Sequence, residues 1–383
     1  MPDFKTVVIG RTGRGDWGHA IDELFVDLPG TDLVAVADES AEGLAAAATR
    51  LGLARTFPDW RRMLDELRPE IVVLCMRHVD CHAEMAIAAA KAGAKGIFME
   101  KPFVRAKSEA DAVIAACRAS GTKLSSAFVN RHSPAYAVVR EMVDDRRIGR
   151  LLELRGRGKE DNRGGGEDLW VLGCHLLDMM ADLGGAPQWC QANVTLGGRP
   201  VTEQDFADGP EGIGKIAGDR IDATWGLADG PIGHFSSVRE AGLKQPAFGL
   251  TLVGSSGAIH IRPDHLPHAY YRAAPLWRTD KEIPWQAILP DGSLVADPAV
   301  LPKTTDAERS AERREWGRRA AADLVDAIVE DREPETGMYA SRSTVLMTEA
   351  VFASALSGRR IAVDRVARDV PPTEARGASR EGS

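Results

Sequence analysis

Two stretches concentrate side chains able to move protons. The first is GIFMEKPFV, residues 96–104, where an apolar run stops at an acid, a base and a proline: Glu100, Lys101 and Pro102. The second is GCHLLDMMADLGG, residues 173–185. There His175, Asp178 and Asp182 recur at i, i+3 and i+7 and share one helical stripe, with Leu176, Met180 and Leu183 on the opposite one. A histidine on such a stripe can face a cleft while the helix stays anchored. The spacing alone fits equally a helix whose histidine and acids are merely solvated.

The elements that must position these groups alternate along the first third of the chain. A β-branched run at 6–9 meets the glycine loop GRTGRGDWG (10–18), and a helical pattern starts near His19. LVAVA (33–37) ends at Asp38 and precedes an alanine-rich helix to about Leu51. IVVLCM (71–76) precedes a helix closed by Gly93. GIFM (96–99) precedes a helix opened by Ser108 and Asp111 in a capping-box-like start and closed by Gly121, and KLSSAF (123–128) follows. Continuously apolar strands alternating with amphipathic helices predict an α/β fold, a doubly wound parallel sheet covered on both faces. Ligands of such sheets lie beyond the carboxyl ends of the strands, where Gly10, Asp38, Arg77, Glu100 and Lys101 fall.

Gly13, Gly15 and Gly18 spell GxGxxG, a weak signal by itself that gains weight between a strand and a helix. Glycines let backbone approach a pyrophosphate, and a carboxylate at Asp38 suits ribose hydroxyls. Glu39 and Ser40 follow with no arginine, so a 2′-phosphate would meet negative charge; NAD is preferred over NADP.

After Asn130 the period changes to two. LLELRGR, RIDATWG, IGHFSSV, FGLTLVG and AIHIR predict largely antiparallel strands, with helices near 174–183, 307–330 and 340–356. The expected organisation is a nucleotide-binding domain over 1–131, an α+β substrate and oligomerisation domain with an open sheet over 132–364, and a mobile tail over 365–383 without apolar periodicity. The chain has 383 residues, 44% hydrophobic side chains and a net charge of −8. That length supports two cores, and the acidity without a lysine-rich block argues against a nucleic-acid partner. No apolar run is long enough for a membrane span, and no basic leader precedes the first strand, so a cytoplasmic location is expected. Five scattered cysteines without a CxxC pair indicate neither a disulfide framework nor zinc. His260, His265 and His268 beside Asp264 are interrupted by two prolines and are not read as a metal site.

The stretches VVIGRTGRGDWGHAI, IVVLCMRHVDCHAEMAIAAAKAGAKGIFMEKPF and LGCHLLDMM resemble the Gfo/Idh/MocA family of nicotinamide-dependent oxidoreductases, and the likeness runs to about Val363. Its most specific part places His82, an Ala-Gly and Glu-Lys-Pro at the family's intervals. The resemblance implies a Rossmann domain, a homo-oligomer (dimer or tetramer), Lys101 directed at the nicotinamide and the reacting hydroxyl, and His175 as acid/base on the substrate side. A partly desolvated ammonium near a positive nicotinamide ring loses its proton more easily, which suits that role. The candidate cofactor set is Gly10, Gly13, Gly15, Asp38, His82, Glu100, Lys101 and Asn130. The candidate substrate set is Lys101, Trp170, His175 and Asp178, and no metal ligand is expected. The substrate class implied is a sugar, sugar derivative or cyclic polyol oxidised at a CH–OH carbon.

The chain departs from the pattern at Val171, where many members carry an Asp four residues before the histidine. Glu167, Asp168 and Asp178 are the remaining candidates for a compensating carboxylate, with RGGGED (163–168) as a flexible loop able to deliver one. Asp168 lies seven residues before His175, about 10 Å along an ideal helix, and needs an irregular turn to reach it. The gap leaves room for redox-neutral glycoside hydrolysis or lysis with recycled NAD. A separate alternative is a non-enzymatic nucleotide-binding regulator that kept the fold, against which the retained Lys101 and His175 argue.

Overall fold

The computed structural model describes residues 3–244, 247–263, 265–279 and 282–363. The tail expected over 365–383 and Asp264 of the histidine cluster lie outside the described residues. Strands β1 (Phe4–Ile9), β2 (Thr31–Ala37), β3 (Thr56–Phe57), β4 (Ile71–Leu74), β5 (Gly96–Met99) and β6 (Lys123–Ser126) form a parallel sheet in the order β3-β2-β1-β4-β5-β6. Every residue of β4 and β5 is buried, as a sheet covered on both faces requires. The connecting helices are α1 (Ala41–Leu51), α2 (Trp60–Leu67), α3 (His82–Lys91) and α4 (Lys107–Ser120). Ser40 caps α1 through its hydroxyl, and Gly52 and Gly121 end α1 and α4 in the left-handed region.

Two local expectations fail. The glycine loop leads not into an α-helix but into a 3-10 turn at Ile21–Phe25. Asp16, Gly18 and Ala20 all take positive φ, so the chain cannot wind into α-helix before residue 21. Helix α4 starts at Lys107 with no side-chain cap, because Asp111 pairs with Lys107 and Arg342 instead of capping.

The second sheet has eleven strands and contains β7 (Leu151–Arg157), β8 (Pro187–Leu196) with β9 (Arg199–Pro200) at its end, β12 (Arg220–Leu227), β13 (Ile232–Val238), β14 (Gly249–Gly254), β15 (Ala258–Ile261), β16 (Ala269–Arg272), β17 (Gln286–Ile288), β18 (Leu294–Val295) and β19 (Ile361–Ala362). A small ribbon, β10 (Ala207–Asp208) and β11 (Lys215–Ile216), stands apart. The order is β18-β17-β16-β15-β14-β7-β13-β12-β8-β19, antiparallel except for the parallel β7–β13 pair. The expected alternation is present: Ile221, Ala223 and Trp225, Leu250 and Leu252, and Ile259 and Ile261 are buried on one face. Helices α5 (Pro134–Asp144), α6 (Gly166–Val171), α7 (Gly173–Gly184), α8 (Asp306–Val329) and α9 (Met338–Ser357) complete the fold. Although α8 follows the second sheet in sequence, it packs on the first. Leu324 and Ile328 lie over Gly96, where a Cβ would come within 2.6 Å of Ile328, and Val325 and Ala320 join the core of Val8, Leu24 and Phe98.

Candidate active site

Lys101 follows β5, and its Lys101–Pro102 peptide is cis. The side chain is 7% exposed. Its Nζ donates to the Val171 carbonyl at 3.1 Å and stands 3.9 Å from Glu100 Oε1. The break between α6 and α7 makes the first contact possible. In an unbroken helix the Val171 carbonyl would accept from His175 N–H. Here Leu172 departs from helical geometry and His175 N donates to Leu172 O instead, leaving the Val171 carbonyl for the ammonium. At Val171, where the family pattern carries an acid beside the histidine, the chain therefore offers a backbone oxygen, and Lys101 takes it.

Glu100, 1% exposed, also accepts from His19 Nδ1 at 2.7 Å. Burial pushes the Glu100 carboxyl up, but His19, Lys101 and His175 together outweigh it and hold the group below the usual carboxylate range. His19, in the loop after β1, is a site residue that the sequence reading used only to mark a helix start.

His175 is brought to this edge by α7. Its Nδ1 lies 3.4 Å from Asn130 Nδ2, and Phe128 meets the ring edge-on at 5.8 Å. Asn130 is 5% exposed and belongs to the 3-10 turn Val129–His132 after β6. The amide can be turned either way: Nδ2 toward the ring makes Nδ1 an acceptor, and Oδ1 toward the ring makes it a donor and puts the basic lone pair on Nε2.

The carboxylates go elsewhere. Asp178, 1% exposed, faces Arg131 at 3.3 Å, while Asp182 takes Arg131 at 2.7 Å, Tyr136 Oη at 2.8 Å and Arg140 at 3.4 Å. Asp182 thus holds the better contacts, and Asp178 Oδ2 has no partner among the described residues. Burial, with Asp182 adding to it against Arg131, pushes the Asp178 carboxyl up to about 7. Asp168 is fully buried and accepts from Ser237 Oγ at 2.6 Å and Glu160 N at 3.2 Å, turned toward the sheet. RGGGED is not a loose loop: a Cβ on Gly164, Gly165 or Gly166 would come within 2.5 Å of backbone at 217–218 or 239. Trp170 is a core residue, 5% exposed, not an open platform for a sugar face, and its indole N–H has no partner among the described residues.

His82 is fully buried with Nδ1 3.0 Å from the carbonyls of Pro102 and Phe103 and Nε2 2.9 Å from that of Met76. It ties the end of β4 to the turn behind Lys101 rather than facing the cleft. At the other end of the edge, Asp38 accepts from Thr12 N at 3.0 Å, Thr12 Oγ1 at 2.7 Å and Ser40 N at 2.9 Å, which binds the glycine loop to the end of β2. Gly15 at φ 89 has room only for a hydrogen, since a Cβ would sit 2.3 Å from His78 N. Gly13, at φ 81, meets nothing within 4 Å in that direction and so leaves space open over the loop. Gly10 packs under the Trp17 ring.

Residues 4–128 match the model of an oxidoreductase family with an NAD-binding Rossmann fold. The N-terminal domain is that of the Gfo/Idh/MocA oxidoreductases. A levoglucosan dehydrogenase of Pseudarthrobacter phenanthrenivorans is 27% identical over 61% of this chain and 67% of its own. A scyllo-inositol 2-dehydrogenase (NAD(+)) of Bacillus subtilis is 29% identical over 40% of this chain and 43% of its own, so the match spans less than half of that relative. A D-apiose dehydrogenase of Paraburkholderia graminis is 24% identical over 90% and 86%. A solved levoglucosan dehydrogenase in complex with NADH and levoglucosan superimposes with a TM-score of 0.74 at 22% identity, covering 95% of this chain and all of that one, a likeness of fold.

Proposed function

We propose that this protein is an NAD-dependent oxidoreductase that transfers hydride between nicotinamide and a CH–OH carbon of a sugar, sugar derivative or cyclic polyol. The observation that carries the reading is that Lys101, held on Val171 O, and His175, beside Asn130, both act on the buried carboxylate of Glu100 at the carboxyl edge of the parallel sheet. The edge fits a dinucleotide: open space over Gly13, the buried carboxylate of Asp38 closing β2, and Glu100 and Asn130 beyond β5 and β6. When bound, NAD supplies the hydride acceptor. Gly10, Gly13 and Gly15 would line its pyrophosphate and Asp38 its adenosine ribose, where Asp38 and Glu39 disfavour a 2′-phosphate. Thr12 already donates twice to Asp38, so the ribose hydroxyls would share that carboxylate. His82 acts behind the site by fixing the Lys101 turn.

In this reading Lys101 Nζ and His175 bracket the substrate hydroxyl, and one of them takes its proton as hydride leaves carbon. Glu100 keeps the ammonium in place, and Asn130 stands in for the missing acid as the group that orients His175. Asp178 supplies a carboxyl titrating near neutrality one helical turn from His175. The levoglucosan, inositol and apiose activities of the relatives support the substrate class. The reading includes a cytoplasmic homo-oligomer without a membrane or nucleic-acid partner. Five free, buried cysteines suit the reducing compartment that this location implies.

The test follows reduced-nicotinamide absorbance with NAD and a panel of anhydrosugars, inositols and pentoses. Wild type is expected to form NADH, with Lys101→Ala and His175→Ala each lowering kcat by roughly 10²–10⁴-fold. An equally active Lys101→Ala variant would remove Lys101 from the mechanism. Substrate loss without net NADH would instead favour the redox-neutral alternative that the valine at 171 leaves open.

A further inference from the structure

The strand order β3-β2-β1-β4-β5-β6 reverses between β1 and β4, and a dinucleotide lies in the crevice that such a reversal opens beyond the strand ends. Ion pairs already span that crevice. Arg11 and Arg14, in the glycine loop after β1, reach Asp80 in the 3-10 turn Val79–Cys81 after β4. Arg11 Nη1 donates to Asp80 Oδ1 at 3.2 Å, and Arg14 Nη2 donates to Asp80 Oδ2 at 3.0 Å. The Arg14 side chain is 60% exposed, that of Arg11 only 10%. Arg77, just after β4, faces Glu211 at 3.8 Å instead.

Most of the loop's backbone is already engaged. A pyrophosphate is ordinarily held by free N–H groups of the glycine loop and by the N-terminus of the helix behind it. Here Arg11 N donates to Asp16 O at 3.2 Å and Asp16 N to Arg11 O at 3.0 Å, which closes residues 11–16 into a hairpin. Inside it, Gly13 N donates to Asp16 Oδ1 at 2.8 Å and Arg14 N to Arg11 O at 2.9 Å. Gly10 N donates to Ala37 O and Thr12 N to Asp38 Oδ2, each at 3.0 Å. Gly15 O accepts from Arg77 N at 3.1 Å, so the hairpin is also tied to the end of β4. The chain then enters the 3-10 turn Ile21–Phe25 rather than an α-helix. Positive charge for a pyrophosphate must therefore come largely from side chains, and Arg14 is the exposed cation at the crevice.

We propose that Asp80 is a built-in competitor of the cofactor: NAD binds by drawing Arg14 off Asp80 onto its pyrophosphate, while Arg11 stays on Asp80 and keeps the loop against β4. This rests on the reading of the protein as an NAD enzyme, and it names the pair that sets its cofactor affinity. Asp80 serves two guanidinium groups, so it can release one and stay paired. The exposed pair with Arg14 is weak, whereas a guanidinium bound to phosphate makes charge-assisted hydrogen bonds that can be bidentate. The pair with Arg11 is better buried, and breaking it would strand a charge. Competition of this kind lowers the affinity for NAD, which suits an enzyme that exchanges its cofactor at each turnover.

The test is titration calorimetry of the intact protein with NADH and with ADP-ribose, which keeps the pyrophosphate and lacks the nicotinamide. Arg14→Gln is expected to weaken both ligands by roughly tenfold or more, the loss of a charge-assisted hydrogen bond, and Arg14→Lys to recover part of that loss. Asp80→Asn keeps an oxygen for Arg11 but releases Arg14, and should tighten both ligands by roughly threefold. In the Arg14→Gln background the same Asp80→Asn change should have little effect, because the pair it would break is already gone. Thermal unfolding of each variant is recorded alongside, so that a misfolded protein does not count as support. Unchanged affinity in folded Arg14→Gln overturns the proposal. So does an Asp80→Asn variant that fails to tighten binding, or that tightens it equally in both backgrounds, the mark of plain repulsion between Asp80 and the phosphates. Wild-type protein that binds neither ligand would sink the cofactor reading along with the proposal, a result distinct from these.

Discussion

Asp178 sits one helical turn from His175 in a place where its charge is poorly matched. Arg131 is shared with Asp182, which holds the shorter contact, so burial prevails and the Asp178 carboxyl rises to about 7. In the unfolded chain the same group releases its proton near pH 4. Between those values the folded state holds a proton that the unfolded state has lost, so stability falls as pH rises through the window and levels off above it. Asp178→Asn should remove that slope. Urea midpoints of wild type and variant from about pH 5 to about pH 8 should diverge with the variant gaining, by on the order of 2–4 kcal/mol at the alkaline end. Parallel curves would mean that Asp178 is ionised throughout, as a true partner of Arg131.

Among the elements, the short helix α6 decides what Lys101 meets, because its last carbonyl is the oxygen that accepts from the ammonium. Its start is set by Gly165 at φ 86, where a Cβ would lie 2.5 Å from Gly218 O. Gly165→Ala is expected to cost about 2–4 kcal/mol, combining backbone strain with a steric clash, and to lower kcat by shifting Val171 away from Lys101. Gly197→Ala is the control. It too has a positive φ, 57, but no atom within 4 Å, so it should cost only about 1 kcal/mol and leave kcat unchanged. Thermal unfolding and turnover measured on both variants separate crowding from strain. The sequence showed α7 with its polar stripe, but α6 was read as a loop, since three glycines in RGGGED look like freedom. Packed against 217–219 and 239, they are instead the residues small enough for two backbones to touch.

For the whole molecule, α8 joins what the chain order separates. Ala320, Ala321, Leu324 and Val325 are buried in one core with Phe4, Val8, Phe25 and Phe98. A fragment of residues 3–131 alone would expose that apolar face. It is expected to aggregate or show no cooperative urea transition, while the intact chain unfolds in a single step. Supplying residues 306–329 by fusion should restore a cooperative transition to the fragment. A fragment 3–131 that unfolds cooperatively without α8 would show that the helix is dispensable to the first sheet.

By itself the sequence determined the parallel sheet, the period-two strands and the edge to which Asp38, Glu100 and Lys101 belong, because apolar periodicity and strand ends are local properties. It also carried His175 on a stripe facing away from Leu176 and Met180. Only the tertiary structure decided which partner each group meets. Asp168 goes to Ser237 and Asp178 to Arg131, His19 reaches Glu100 from across the glycine loop, and Lys101 finds the carbonyl of a valine. These pairings join residues 47 to 81 positions apart. Such contacts depend on a kink at Leu172 and on positive φ angles before Ile21, which propensity does not encode. A backbone oxygen acting where an acid was expected leaves no mark in the residue types at all.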